Sequence, residues 1–282
     1  MGNLIKIKNH ILRSSNKGKP FGTDILYDLE NSSGNLIIFC HGFKGFKDWG
    51  YFELMAEYFA SEGFIFIKFN YSHNGTTPEQ PEQFVDLEAF SENTFSKESV
   101  DLEKVIEFAG SSNLIAKPIK NIFLLGHSRG GYLAILKAFQ NSQIKGLATL
   151  AAVSNFESRY TNEQIAYWKE HGTIYIENSR TGQMMPLKFD IFKDFDENKE
   201  KLSVPLIAPK INKPWLIIHG EKDESVPVSH AHDLKKWNQK AQLLILPDAN
   251  HVFGGSHPYE KTYLPNDFLI ACKAVKDFFN SL

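Results

Sequence analysis

The sequence has little cysteine, no surplus of basic charge and no long apolar run. Cys40 and Cys272 are its two cysteines among 282 residues, too few for a disulfide framework. Lys and Arg total 31 against 33 Asp and Glu, so nothing indicates a nucleic-acid partner. No segment approaches the roughly 20 apolar residues that cross a bilayer, and residues 1–8 do not resemble a secretory leader. We therefore expect a cytoplasmic protein without a membrane partner.

The sequence also lacks the common motifs for metals and phosphates. Its 10 histidines do not fall in the His-Glu-x-x-His pattern, and neither Gly-x-Gly-x-x-Gly nor Gly-x-x-x-x-Gly-Lys-Ser/Thr occurs. We therefore expect no cofactor and no metal ion.

Hydrophobic residues make up 42% of the chain, enough for a large core, and no linker or repeat divides it. This favours a single domain over residues 1–282. Two alternating segments, 5–12 and 23–29, predict antiparallel strands. Short apolar runs follow, as in strands buried on both faces of a parallel sheet. They span residues 36–40, 64–69, 121–125, 147–153 and 215–218.

Helical patterns lie between these runs, so the order along the chain is strand, helix, strand. This order predicts an α/β fold with a doubly wound, mostly parallel sheet of about eight strands. In such a fold the functional loops gather at the carboxyl ends of the strands. We therefore expect the functional residues directly after the apolar runs.

The clearest motif is Gly126-His-Ser-Arg-Gly130-Gly131, which follows one run and precedes a helical segment. A serine on such a strand–turn–helix elbow is a candidate nucleophile. The glycines have a physical cause, because the turn is sharp and side chains there would collide with neighbouring elements. Ser128 is therefore the predicted nucleophile.

A serine hydroxyl needs a base and a group that orients the base. Asp223 follows the run at 215–218, and His251 lies in a loop after the apolar residues 243–246. The order Ser128, Asp223, His251 predicts nucleophile, acid and base. Glu221 is the rival acid in the same loop, and we rank it behind Asp223.

The negative oxygen that forms when serine attacks a carbonyl needs hydrogen-bond donors. The segment His41-Gly42-Phe43-Lys44-Gly45 directly follows the run that ends at Cys40. We predict that the backbone N–H groups of Phe43 and Arg129 form the oxyanion hole. His41 is expected to brace this loop rather than to titrate in catalysis.

Taken together, these motifs resemble the α/β-hydrolase superfamily over about residues 20–282. Within it, His-Gly-Phe-Lys-Gly at 41–45 and Asn-His-Val-Phe-Gly-Gly-Ser-His-Pro at 250–258 are similar to the dienelactone hydrolase-like and cinnamoyl-esterase-like bacterial branch. Dienelactone hydrolases proper use a cysteine nucleophile, whereas this chain has Ser128. The resemblance therefore implies a serine hydrolase.

About 60 residues separate the runs at 147–153 and 215–218, more than one helical crossover needs. This predicts an insertion at 157–213, containing a short helix over 163–170 and a hairpin of strands 173–177 and 184–189. In α/β hydrolases an insertion here commonly covers the site. Tyr167 and Trp168 are the predicted substrate-binding residues, with packing of the aromatic side chains onto the body as the equal alternative.

The expected function is a carboxylesterase that acts on small or medium esters and takes a small-molecule ester as its partner. One alternative is a peptidase similar to the prolyl-oligopeptidase group. The other is a catalytically silent binding protein on the hydrolase scaffold. The sequence indicates no oligomeric state.

Overall fold

The computed structural model describes residues 3–15 and 18–282. The predicted domain starts at residue 1, which lies outside the described residues. Ten strands occur in the described part, eight of them in one sheet. They are β1 (Leu4–Arg13), β2 (Pro20–Asp28), β3 (Asn35–Cys40), β4 (Ile65–Phe69), β5 (Asn121–His127), β6 (Ile144–Leu150), β7 (Thr173–Asn178), β8 (Gln183–Lys188), β9 (Trp215–Gly220) and β10 (Gln242–Leu246).

The sheet has the spatial order β1-β2-β4-β3-β5-β6-β9-β10. Strand β2 pairs antiparallel with β1 and β4, and the other neighbouring strands are parallel. Strands β3, β4 and β5 are buried almost throughout, as their unbroken apolar runs require. The predicted fold, a mostly parallel α/β sheet of about eight strands, is confirmed.

Helices cover both faces of the sheet. Ile37 and Phe39 of β3 pack towards the side of the helices at 52–61 and 266–280, while Leu36 and Ile38 pack towards the side of the helices at 95–111 and 129–140. Successive side chains of a strand point to opposite faces. None of the helices in residues 3–15 and 18–282 is long and apolar enough to cross a membrane. The helices are α1 (Phe52–Ser61), α2 (Leu87–Ser91), α3 (Phe95–Ser111), α4 (Arg129–Gln140), α5 (Asn162–His171), α6 (Asp190–Glu197), α7 (Lys199–Leu202), α8 (Val204–Ile207), α9 (Ser229–Trp237) and α10 (Asn266–Asn280).

The stretch between β6 and β9 contains the predicted helix and hairpin. Helix α5 begins after Thr161, whose side chain forms a reciprocal capping box with Gln164, and it ends at Gly172, which is left-handed with φ 72°. Strands β7 and β8 pair antiparallel with each other and form a separate sheet. That residues 157–213 act as a cap over the site stays a prediction.

Candidate active site

Ser128 lies on the sharp turn between β5 and α4. Its backbone is left-handed, with φ 56° and ψ −120°, a strained conformation for a residue other than glycine. A Cβ at Gly126 would lie 2.3 Å from the carbonyl oxygen of Gly130, and a Cβ at Gly130 would lie 2.0 Å from that of Cys40. Neighbouring backbone segments therefore lie so close to this turn that glycine is needed on both sides of Ser128.

Asp223 and His251 are brought together from the loops after β9 and β10. His251 Nδ1 lies 2.8 Å from Asp223 Oδ2. A carboxylate only accepts hydrogen bonds, so Nδ1 carries the proton and Nε2 is left as the basic nitrogen. His251 borders the same cavities as Ser128. The rival acid, Glu221, is exposed to solvent.

His219, at the end of β9, is a contact of Asp223 that sequence reasoning missed. His219 Nε2 lies 3.2 Å from Asp223 Oδ2 and 2.8 Å from the carbonyl oxygen of Val226. Both neighbours are acceptors, so Nε2 carries a proton. The available signal was a histidine in a fully buried strand, where a polar side chain needs a partner.

The carboxylate of Asp223 is buried and surrounded by donors. Its Oδ1 accepts hydrogen bonds from the backbone N–H groups of Ser225 and Val226, at 2.9 and 2.8 Å. Burial by itself raises the pKa of Asp223, but the hydrogen bonds from His219 and His251 outweigh it and hold this pKa well below its usual range. Asp223 is therefore held as the charged carboxylate.

His127 precedes Ser128 and supports the loop that carries His251. Its Nε2 donates a hydrogen bond of 2.8 Å to the backbone carbonyl of His251, and the two rings lie 4.9 Å apart. Burial lowers the pKa of His127 to about 3. His127 is therefore a neutral spacer between the nucleophile turn and the His251 loop.

The predicted oxyanion loop lies directly against Ser128. A Cβ at Gly42 would stand 3.1 Å from Ser128 Cβ, and Phe43 and Arg129 border a cavity together with Ser128. His41 is buried, and its Nδ1 lies 2.9 Å from the carbonyl oxygen of Gly42. Burial lowers the pKa of His41 to about 4, so the neutral ring is suited to bracing the loop.

Two cavities meet at these residues, with volumes of about 520 and 180 Å³. Both are bordered by Phe43, Lys44, Ser128 and His251. The larger also contacts α4 and the stretch after β6, and the smaller extends towards the turn between β7 and β8. The full lining of the larger cavity is Phe43, Lys44, Phe95, Ser128, Arg129, Tyr132, Val153, Phe156, Arg159, Tyr160, Ile176, Ser225, Val226 and His251.

The prediction that Tyr167 and Trp168 bind substrate needs correction. Trp168 is fully buried, and its indole N–H donates to the carbonyl oxygen of Leu187 at 2.9 Å. Tyr167 is 56% exposed and stacks on His171. Neither residue lines a cavity that contains Ser128.

Residues of the same stretch other than Tyr167 and Trp168 line the larger cavity. Arg159, Tyr160 and Ile176 contribute side chains to its lining. Tyr160 belongs to the aromatic cluster visible in the sequence, but composition does not distinguish it from Tyr167. Arg159 carried no sequence signal of its own.

The side chain of Arg129 contacts both α3 and the oxyanion loop. Its Nε lies 3.1 Å from Oε2 of the buried Glu98, and its guanidinium lies over the rings of Phe43 and Phe95, at 5.2 and 4.5 Å from their centres. Such contacts combine charge and stacking. Arg129 therefore ties the oxyanion loop to α3.

Three carboxylates elsewhere, those of Asp24, Asp48 and Glu53, lie close enough to share an ion. Lys68 Nζ is 3.2 Å from Asp24 Oδ2 and 2.8 Å from Glu53 Oε2, and it also contacts Asp48. Burial raises the pKa of Asp24, but Lys68 and Lys47 lower it to about 2. The chain's own ammonium groups thus balance this cluster, which we interpret as an internal ion-pair network.

The profile of the prolyl oligopeptidase family matches residues 49–271, more than half of the chain. The chain belongs to the prolyl oligopeptidase family. This membership confirms the predicted resemblance to the α/β-hydrolase superfamily.

Individual relatives of this family member are distant. It is 24% identical over 151 residues to "Uncharacterized peptidase YuxL" of Bacillus subtilis, covering 50% of this chain and 20% of that protein. It is 27% identical over 184 residues to "Serine hydrolase BPHL" of Mus musculus, covering 62% of this chain and 60% of the relative. The chain therefore spans less than two thirds of the length of either relative.

Among solved structures, Est1E from Butyrivibrio proteoclasticus with bound ferulic acid superposes with a TM-score of 0.72. The superposition covers 96% of this chain and 98% of that one, at 19% identity. Likeness at this level shows a shared fold.

Proposed function

We propose that this member of the prolyl oligopeptidase family is a carboxylic-ester hydrolase that works through an acyl-enzyme on Ser128. The observation that carries the proposal is the hydrogen bond of 2.8 Å between His251 Nδ1 and the buried carboxylate of Asp223, beside a serine held on a strained turn. A buried acid that fixes the tautomer of a histidine next to a serine is suited to nucleophilic catalysis.

In the proposed acylation step, Ser128 Oγ attacks the ester carbonyl carbon while His251 Nε2 accepts the serine proton. The backbone N–H groups of Phe43 and Arg129 stabilise the oxyanion. When the tetrahedral intermediate collapses, the bond to the alcohol breaks and His251 returns its proton to the departing oxygen. Asp223 keeps the imidazole oriented and stabilises its charged form.

Water then completes the cycle by the same path. It loses a proton to His251 and adds to the acyl carbonyl, after which the bond to Ser128 breaks and the serine recovers its proton. The products are a carboxylic acid and an alcohol. Each step uses residues of this chain alone.

The family assignment favours a peptidase as the second candidate, since its description and that of one relative refer to peptide cleavage. The nitrogen leaving group of a peptide is more basic than the oxygen leaving group of an ester and must be protonated before it departs. Peptide cleavage therefore depends more strongly on proton delivery by His251. Ester and amide substrates distinguish the esterase from the peptidase. We expect p-nitrophenyl butyrate and methyl ferulate to be hydrolysed, and acylated dipeptide amides to be hydrolysed far more slowly.

The test of the proposal is labelling with a fluorophosphonate, followed by peptide mass analysis. We expect the adduct on Ser128, with neither labelling nor ester turnover in Ser128→Ala, whose turnover falls by roughly 10⁴-fold or more. Equal circular dichroism of the two proteins is the control for folding. A folded wild-type protein with neither labelling nor turnover would favour the binding-protein alternative.

A further inference from the structure

The lining of the two cavities has a charge opposite to that of the chain as a whole. The formal net charge of the protein is −2. Lys44, Arg129, Arg159 and Arg180 nevertheless border the cavities, and their lining includes no Asp or Glu from the part of the chain that the structure describes. Charges of one sign around a cleft raise the local concentration of a ligand of the other sign.

Three of these four cations are already engaged. Arg129 pairs with Glu98, while Lys44 Nζ donates to the carbonyl oxygen of Glu177 at 2.9 Å. Arg180 donates from Nη2 to the carbonyl oxygen of Lys44 at 2.6 Å, and its guanidinium lies over Phe46 and Trp49. These three contribute charge and each donates to a protein acceptor, although Arg129 Nη2 is buried and has no hydrogen-bond partner among the described residues.

Arg159 lines the larger cavity and contacts the protein through a single side-chain hydrogen bond. It is exposed, and across residues 3–15 and 18–282 no carboxylate lies within ion-pair distance of it. Its Nη1 donates to the carbonyl oxygen of Ser225 at 2.7 Å. Since Ser225 lies two residues after Asp223, this bond fixes the guanidinium relative to the acid loop. A guanidinium has five N–H donors, so most of those of Arg159 are available at the larger cavity, whose lining includes this residue.

We propose that the substrate is an ester that also bears a carboxylate, and that Arg159 binds this carboxylate in the larger cavity. The inference rests on the esterase function proposed above and specifies its substrate class. The planar fork of a guanidinium pairs with both oxygens of a carboxylate. Lys44 and Arg129 add charge of the same sign along the cavity wall and strengthen the preference.

The experiment compares two p-nitrophenyl esters of equal size, the monoester of adipic acid and the ester of adipamic acid, in which a neutral amide replaces the carboxylate. Spontaneous hydrolysis is subtracted. We expect kcat/KM to be at least tenfold higher for the anionic ester, with most of the difference in KM. This ratio should fall at least tenfold in Arg159→Gln, recover partly in Arg159→Lys, and decrease in the wild type as salt is added.

Lys169→Gln is the matched control, because it removes one positive charge from exposed α5 and Lys169 lies outside both cavity linings. It should leave the ratio unchanged. Fluorophosphonate labelling of each variant verifies a folded site. A wild-type ratio near one, or a ratio that Arg159→Gln does not lower, overturns the inference and leaves the esterase proposal standing. Absence of turnover on both esters overturns the two together.

Discussion

The two walls of the larger cavity are held in different ways. One wall, with Ser128 and Val226, follows β5 and β9, strands whose residues are almost all buried within the sheet, and we call it the sheet-borne wall. The second wall, with Tyr160 and Ile176, comes from the stretch after β6 that contains the hairpin, and we call it the hairpin wall. There, Trp168 is the one residue of α5 that is buried.

The hairpin of this second wall meets the body through both apolar and polar contacts. Met185 of β8 is fully buried in a cluster with Phe46, Phe84 and Phe90. Lys44 Nζ of the oxyanion loop donates to the carbonyl oxygen of Glu177 in the hairpin, and Arg180 Nη2 donates to the carbonyl oxygen of Lys44. Gln183 Nε2 donates to the carbonyl oxygen of Phe84 at 2.9 Å. Exposed contacts of this kind each contribute about 1 kcal/mol or less. We infer that the residues making these exposed contacts can change with little effect on the sheet that positions the reacting groups.

The largest expected effects come from the sheet-borne wall. His251→Ala should reduce kcat/KM nearly as much as Ser128→Ala, because residues that act as a unit lose their effect together. Asp223→Asn should leave somewhat more activity, as the histidine remains but its tautomer is no longer fixed. Steady-state rates on p-nitrophenyl butyrate measure all three.

Glu221→Gln is the control for the acid, since Glu221 shares the loop with Asp223 but is exposed. It should change kcat/KM less than about threefold. If Glu221→Gln proved crippling while Asp223→Asn was harmless, the assignment of Asp223 as the orienting acid would be wrong.

The second prediction concerns how the hairpin wall is anchored. Trp168→Ala removes a fully buried indole and should lower the free energy of unfolding by about 3–5 kcal/mol. Tyr167→Ala, one residue away but 56% exposed, should change it by about 0.5 kcal/mol or less. Urea unfolding followed by circular dichroism measures both. Equal losses in the two variants would contradict the proposed anchoring role of Trp168.

The same contrast explains what could be predicted from the sequence. The ends of these strands are marked by apolar runs that stop at turn-forming residues such as Gly126, Gly220 and Pro247, so the positions of Ser128, Asp223 and His251 could be inferred from local pattern. Tyr167 and Trp168 are adjacent on α5, where consecutive side chains diverge by about 100°. Which of them is buried depends on packing against Leu187 of β8 and the main core cluster, and no local pattern encodes those contacts.

The smallest expected effect tests whether the hairpin wall sets substrate size. Triad and oxyanion donors contact atoms that every ester shares, so acyl length must be sensed by side chains further along the cavity. Tyr160 lines that cavity, with its ring 5.4 Å from that of Trp168. Tyr160→Ala should shift the preferred chain length of p-nitrophenyl esters upwards, with graded changes of about 1–3 kcal/mol and little change on acetate.

Tyr160→Phe keeps the ring and should keep the wild-type length profile. Fluorophosphonate labelling at Ser128 should proceed in both variants, because neither change touches the groups that activate the serine. An unchanged length profile in a folded Tyr160→Ala would mean that the sheet-borne wall also determines size. Selectivity for chain length would then have to arise from Tyr132 or Phe95, which line the same cavity from α4 and α3. In that case catalysis and substrate selection would not be assigned to separate walls.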